Sequence, residues 1–149
     1  MTARAETSMS RRMTAVRITS GEFVFRARFE TASAPGTCAR FETLLPYRQR
    51  IIHVRWSGEA CWIPLGDLDL GIGPENATCY PAPGQILLYP GGVSETEILL
   101  AYGAVAFASK AGPLAGNHFL TVTDGAEHLR ALGERTLWEG AQEILFESA

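Results

Sequence analysis

The sequence predicts a mainly β protein, a closed barrel with two short capping helices. Segments with the alternation or the β-branched composition of strands dominate the middle of the chain, whereas two short segments have helical spacing. An apolar and acidic run near the C-terminus, residues 141–146, can close the sheet, because barrels leave no edge strand unpaired. With 46% hydrophobic and 19% charged residues in 149, the chain has the composition of a globular domain.

The predicted domain covers residues 14–149. Residues 1–13 combine small, polar and charged side chains without periodicity, which predicts a flexible N-terminal extension. The arginines in this part of the chain are not followed by an apolar run, so we do not expect a signal peptide.

Strands are predicted from a period of two and from turn residues between apolar runs. The clearest strand is residues 23–30, where Phe23, Phe25, Ala27 and Phe29 alternate with mostly polar residues. The other predicted strands are residues 51–56, 60–63, 86–89, 96–100 and 119–123.

A hairpin is predicted around Ser57-Gly58-Glu59, because glycine supplies the positive φ that tight turns need. A two-residue loop would place Arg55 and Trp62 on the same face, either in the lumen or on the outer surface of the barrel. An arginine there can stack on the indole ring. With that loop, one face holds Ile52, Val54, Trp56, Cys61 and Ile63, and the other holds His53, Arg55 and Trp62.

Both predicted helices are short. The first begins at Pro35 and ends before Pro46, with Cys38, Phe41 and Leu45 on one face. The second is expected to begin near Asp124, whose spacing to Glu127 resembles a helix cap, and to end at Gly133. Its apolar residues at helical spacing are Leu129 and Leu132.

Composition excludes several classes of partner. The 16 acidic residues outnumber the 13 basic ones, so nucleic acid is not an expected ligand. The longest apolar stretch, residues 98–108, is too short to span a membrane, which takes about 20 residues. The three cysteines lack C-x-x-C spacing and the histidines lack metal-ligand spacing, so we expect reduced thiols in a cytoplasmic protein with no metal and no cofactor.

Several motifs are shared with known families. Residues 34–41, Ala-Pro-Gly-Thr-Cys-Ala-Arg-Phe, resemble the first helix of cyclophilins. The runs 54–64, 75–78, 89–97 and 114–119 together resemble a bacterial family of unknown function, DUF3830, which is placed in the cyclophilin-like superfamily. The resemblance extends from about residue 14 to the C-terminus and implies a closed barrel capped by helices, but no established reaction.

Prolyl isomerase activity is not expected from this resemblance. Arg55 comes in chain order where the isomerase arginine of cyclophilins is found. The Gln-x-Gly-Asp stretch that follows it in working isomerases is absent here, and function belongs to the site rather than to the scaffold.

We therefore predict that the domain binds a small anionic metabolite in a cleft at the side of the barrel. Guanidinium groups match carboxylates in two hydrogen bonds, and polar residues interrupt otherwise apolar strands at a few positions. The predicted ligand-binding residues are Arg55, Trp62, Glu95, Asn117 and His118.

Two alternatives remain open at the level of sequence, and with them the question of whether the protein is an enzyme. One is a small hydrolase or isomerase in which His118 works with Glu95 or Glu97 as acid and base. The other is a peptide-binding or assembly module, including a homo-oligomer formed through a face of the barrel.

Overall fold

A computed structural model describes residues 14–149, and the predicted N-terminal extension, residues 1–13, lies outside this range. The helices are α1 (Pro35–Glu42) and α2 (Leu129–Glu139), and a short 3₁₀ turn (Ala126–His128) precedes α2. The strands are β1 (Ala15–Ser20), β2 (Phe23–Phe29), β3 (Tyr47–His53), β4 (Gly58–Pro64), β5 (Ala77–Thr78), β6 (Gln85–Tyr89), β7 (Glu97–Val105), β8 (Ala108–Ser109), β9 (Gly112–Pro113), β10 (Gly116–Asp124) and β11 (Gln142–Ser148).

Eight antiparallel strands close into a barrel, as predicted. Their order around the barrel is β2, β1, β11, β3, β4, β7, β6 and β10, and β10 pairs with β2 to complete the circle. The C-terminal strand β11 lies between β1 and β3, with Phe146 opposite both Ile18 and Tyr47, so it closes the sheet. The short strand β5 extends the edge of β10, and β8 and β9 form a separate ribbon.

Helix α1 closes one end of the barrel with an aromatic side chain. Phe41 is completely buried, and its ring centroid lies 5.0 Å from that of Phe119 and 5.2 Å from that of Phe146. Edge-to-face packing of this kind stabilises a core beyond its buried area alone. The helix begins at Pro35 as predicted but ends at Glu42, so Leu45 packs on the core from outside the helix.

Helix α2 is present, but the predicted cap and end are wrong. Asp124 is still part of β10, and the 3₁₀ turn begins after Gly125, whose φ of 88° needs a glycine. Gly133 lies inside the helix rather than at its end. A glycine is needed there because a Cβ would overlap the ring of Tyr102 on β7. The glycine therefore permits close packing of the helix on the barrel. Neither helix within residues 14–149 is long and apolar enough to cross a membrane.

A second apolar cluster lies on the outside of the barrel, and we call it the outer layer. It is covered by the chain between β7 and β10, which Ser57 holds in place: the Ser57 hydroxyl donates to the Ala108 carbonyl and accepts from the Ala108 N–H, both at 3.0 Å. The buried members of the outer layer are Ala60, Leu87, Tyr89, Leu99, Phe107 and Leu114.

Candidate functional site

The hairpin between β3 and β4 determines which side chains face the outer layer. Ile52 is opposite Trp62, and His53 is opposite Cys61, so Trp62 lies on the outer side of the barrel and His53 on the inner side. The predicted assignment of these faces is wrong by one residue, because the connection consists of residues 54–57 rather than two residues.

Trp62 borders a cavity of about 160 Å³ on the outer side of the barrel, which we call the Trp pocket. Its walls are the β3–β4 connection, the start of β7 with the loop before it, and the β8–β9 ribbon. The charged and aromatic residues that line it are Arg55, Trp56, Trp62, Glu95, Glu97 and Lys110. Val54, Ser94 and Ser109 complete the lining.

The Trp pocket brings together three of the five predicted ligand-binding residues: Arg55, Trp62 and Glu95. Arg55 is exposed, and within residues 14–149 neither Arg55 nor Lys110 forms an ion pair. Arg55 does not stack on Trp62, since the arginines that lie over aromatic rings in the described residues are two others, both on α2. Both cationic groups are therefore free to pair with a ligand.

Glu97 is the most unusual group in the Trp pocket. It lies on β7 opposite Pro64 of β4 and Tyr89 of β6, and only 5% of it is exposed. No group among residues 14–149 donates a hydrogen bond to its carboxyl. Burial, together with the nearby Glu95 carboxylate, raises the pKa of Glu97 to about 8.

Glu95 differs from Glu97 despite being two residues away. It precedes β7, is exposed, and accepts a hydrogen bond from the Gly66 N–H at 3.0 Å. Only Glu97 therefore belongs to the strand. In the sequence-based hypothesis Glu97 is a candidate only as a member of an acid and base pair. Its alternation with Leu99 and Ala101, at the start of an apolar run, is the signal that identifies it as a buried carboxyl.

Asn117 does not line the Trp pocket and lies instead near the helical end of the barrel. Its Nδ2 donates to the Thr37 hydroxyl at 3.1 Å and to the Gly73 carbonyl at 2.9 Å, and its Oδ1 accepts from the Glu75 N–H at 3.1 Å. The side chain is completely buried. Its amide thus ties together helix α1 and the loop before β5, and we call this arrangement the Asn117 clamp.

His118 is also outside the Trp pocket. Its Nε2 donates to the Thr121 hydroxyl at 2.7 Å, and that hydroxyl donates to Glu30 at 2.7 Å. Burial lowers the pKa of His118, and the Glu30 carboxylate opposes that shift. Hydrogen bonds from Thr121 and Arg28 lower the pKa of Glu30, outweighing burial, which raises it.

The sheet register separates His118 from the two glutamates. On the outer side of the barrel the successive neighbours across the strands are His118, Leu87, Leu99 and Trp62. Three strand spacings amount to about 14 Å. Glu97 lies on β7, two strands from His118 and two residues from Leu99, so about 10 Å across the sheet and about 7 Å along it separate His118 from Glu97. Glu95 lines the Trp pocket with Glu97, and His118 does not, so the structure does not bring these residues together as the predicted acid and base pair.

The closed barrel, plugged by one helix and covered on one outer side, defines a cyclophilin-like fold, and solved structures agree. McbB in complex with tryptophan has a TM-score of 0.69 and 17% identity over 89% of this chain, which spans 44% of the McbB chain. A hypothetical protein from Archaeoglobus fulgidus has a TM-score of 0.62 and 13% identity, over 92% of this chain and 95% of its own. A cyclophilin-type peptidyl-prolyl cis-trans isomerase from Cryptosporidium parvum has a TM-score of 0.57 and 15% identity, over 92% and 99%.

These similarities concern the fold alone, since the sequence identities are low. The chain belongs to DUF3830, a family of proteins of unknown function, whose model matches residues 16–147. No curated protein matches the chain in sequence.

Proposed function

We propose that this protein binds a small anionic molecule with a planar ring in the Trp pocket. The observation that carries the proposal is the combination, around one cavity, of two indole rings with a guanidinium that has no ion pair within residues 14–149. A cavity of about 150 Å³ is large enough to hold benzene. The Trp pocket, at about 160 Å³, therefore suits a single ring whose charged substituent points toward the rim.

The charges around the Trp pocket favour an anion. Arg55 and Lys110 are free of ion pairs within residues 14–149, whereas Glu95 already accepts a backbone hydrogen bond. A guanidinium pairs with a carboxylate through two parallel hydrogen bonds, so Arg55 is the principal anion-binding group in this proposal.

The compounds present in two of the similar solved structures support a ligand with a carboxylate group. McbB was solved with tryptophan, and a second structure of the Cryptosporidium parvum cyclophilin was determined in the presence of the dipeptide Ala-Pro. Both compounds carry a free carboxylate. We include both as probes, and Ala-Pro also tests the alternative of a peptide-binding module.

The proposal is tested by isothermal titration with three ligands of one shape and different charge: benzoate, benzamide and benzylamine. We expect benzoate to bind at least about tenfold more tightly than the other two, which corresponds to about 1.4 kcal/mol. Arg55→Gln should weaken benzoate binding by at least the same factor. Arg50→Gln is the matched control, because Arg50 is an exposed arginine on β3 that does not line the Trp pocket.

Absence of benzoate, tryptophan and Ala-Pro binding would overturn the proposal, as would unchanged benzoate affinity in Arg55→Gln. Tighter binding of Ala-Pro than of benzoate would favour the peptide-binding alternative. Light scattering of the free protein addresses self-assembly separately. A cytoplasmic location, in which the three free thiols stay reduced, is part of the same proposal.

A further inference from the structure

The carboxyl of Glu97 is buried without a partner and faces the Trp pocket. Only 5% of the residue is exposed, and within residues 14–149 no donor hydrogen-bonds to it. Every fully enclosed side-chain nitrogen or oxygen in the described residues has a hydrogen-bond partner. The Glu97 oxygens must therefore keep some contact with the space of the pocket, since they have no partner in the part of the chain that the structure describes.

Buried carboxyl groups normally have hydrogen-bond partners, because an unpaired buried polar group is costly. The titratable and charged groups around Glu97 come from every segment that forms the pocket. Arg55 is on the β3–β4 connection, Glu95 is on the loop before β7, and Lys110 follows β8. Tyr89 is the neighbour on β6, where its hydroxyl accepts hydrogen bonds from the Val93 and Ser94 N–H groups.

None of these groups forms an ion pair with Glu97 within the described residues. A carboxyl that is desolvated and lacks a cation partner keeps its proton, and it is then a hydrogen-bond donor as well as an acceptor. The raised pKa of Glu97, about 8, agrees with this state.

We propose that Glu97 binds the ligand as a neutral carboxylic acid, donating a hydrogen bond to one carboxylate oxygen of an aromatic monocarboxylate whose charge is paired by Arg55. This inference rests on the proposed function and narrows it. The bound carboxylate needs the Glu97 proton, so binding and protonation are coupled. A zwitterion, whose ammonium group would require an ionised Glu97, is the class of ligand that this arrangement disfavours.

Benzoate titrations of the full chain between pH 6 and pH 9 test the inference. We expect the benzoate association constant of the wild type to fall about tenfold between pH 7 and pH 9, because Glu97 loses its proton in this range. Glu97→Gln keeps a neutral donor in the same place, so its benzoate affinity should match that of the wild type at pH 7 and stay constant up to pH 9.

Two controls separate Glu97 from its neighbours. Any pH dependence of binding that arises from a group other than Glu97 would persist in Glu97→Gln, so only the difference between the two profiles reports on Glu97. Glu95→Gln should retain a pH dependence, shifted downward in pH, because removal of the nearby charge lowers the pKa of Glu97 only in part and leaves its burial unchanged. Proton uptake at pH 8 can be measured independently by repeating the titration in buffers of different ionisation enthalpy.

The outcomes distinguish this inference from the proposed function. If benzoate binds and Arg55→Gln weakens it, but the wild-type pH profile matches that of Glu97→Gln, the inference fails and the proposed function stands. Loss of binding in Glu97→Gln, together with tighter binding of phenylalanine than of benzoate, would show instead that Glu97 is ionised and pairs with an ammonium group. If no ligand binds to any variant, both fail.

Discussion

The Asn117 clamp and the Trp pocket each contain a buried polar side chain on the barrel wall, but only Asn117 has hydrogen-bond partners among residues 14–149. Asn117 uses both donors and its acceptor on two different segments of the chain, helix α1 and the loop before β5. Glu97 has no hydrogen-bond donor or ion-pair partner among residues 14–149. Burial of a polar group is costly unless it is hydrogen-bonded, so the two positions have opposite consequences for folding.

This difference separates a structural polar residue from a candidate binding residue. A satisfied amide stabilises the fold and has no remaining capacity for a ligand. A buried carboxyl beside a cavity, without a hydrogen-bond partner in the surrounding residues, reduces stability and leaves a donor available for a ligand. The comparison therefore predicts that substitutions in the two regions change stability with opposite sign.

The largest expected effect is at the Asn117 clamp. Asn117→Ala removes three hydrogen bonds and leaves the Glu75 N–H and the Gly73 carbonyl without that partner, so we expect a loss of about 4 kcal/mol in the free energy of unfolding. Urea denaturation measures this change. Thr37→Val is the matched partial variant, since it removes one of the three bonds, and about 1 kcal/mol is expected. A loss below about 1 kcal/mol in Asn117→Ala would show that the clamp is not structural.

Glu97→Gln should stabilise the protein near neutral pH. The folded-state pKa of about 8 lies above the ordinary value of 4.5, so between these pH values the unfolded chain releases a proton that the folded protein retains. Wild-type stability thus falls as pH rises from 4.5 to 8 and levels off above that range. The variant lacks this loss and should gain about 3 kcal/mol over the wild type at pH 7.

Denaturation at a series of pH values measures that gain, which should vanish below pH 4.5, where Glu97 is protonated in both states. Glu95→Gln is the control: Glu95 is exposed, so its substitution should change stability by less than about 0.5 kcal/mol. A pH-independent difference between Glu97→Gln and the wild type would contradict a buried, protonated carboxyl.

The sequence predicts the barrel better than it predicts the pocket, for a physical reason. Strand alternation and the closing C-terminal segment depend on patterns within single segments, and these predictions are confirmed by the structure. The neighbours of Trp62 depend on the length of one connection, and an error there moves every side chain to the opposite face. The prediction that Gly133 ends a helix is wrong because the ring of Tyr102, which leaves no room for a Cβ at Gly133, is remote in sequence.

Partners that are remote in sequence also explain why the prediction that Asn117 and His118 share a site with Arg55 and Trp62 differs from the structure. Asn117 and His118 are adjacent in sequence to an apolar strand, and their partners, Thr37 and Thr121 among them, become apparent only when the strands pair. Glu97 is the opposite case, because the sequence shows a charge in alternation with the apolar run that follows it but does not show that the charge lacks a partner. Its exposure and its position in the Trp pocket supply that information.

The smallest expected effect concerns His118, which the comparison places with Asn117 rather than with Glu97. Thr121→Val removes the hydroxyl that joins His118 to Glu30, and we expect a loss of about 1 kcal/mol in stability. Benzoate affinity should remain unchanged, because about 14 Å of sheet separates His118 from Trp62. Denaturation and titration of the same variant measure both quantities. A benzoate affinity that falls tenfold in Thr121→Val would assign His118 to the binding site after all, and it would show that an internally hydrogen-bonded side chain can also serve the ligand.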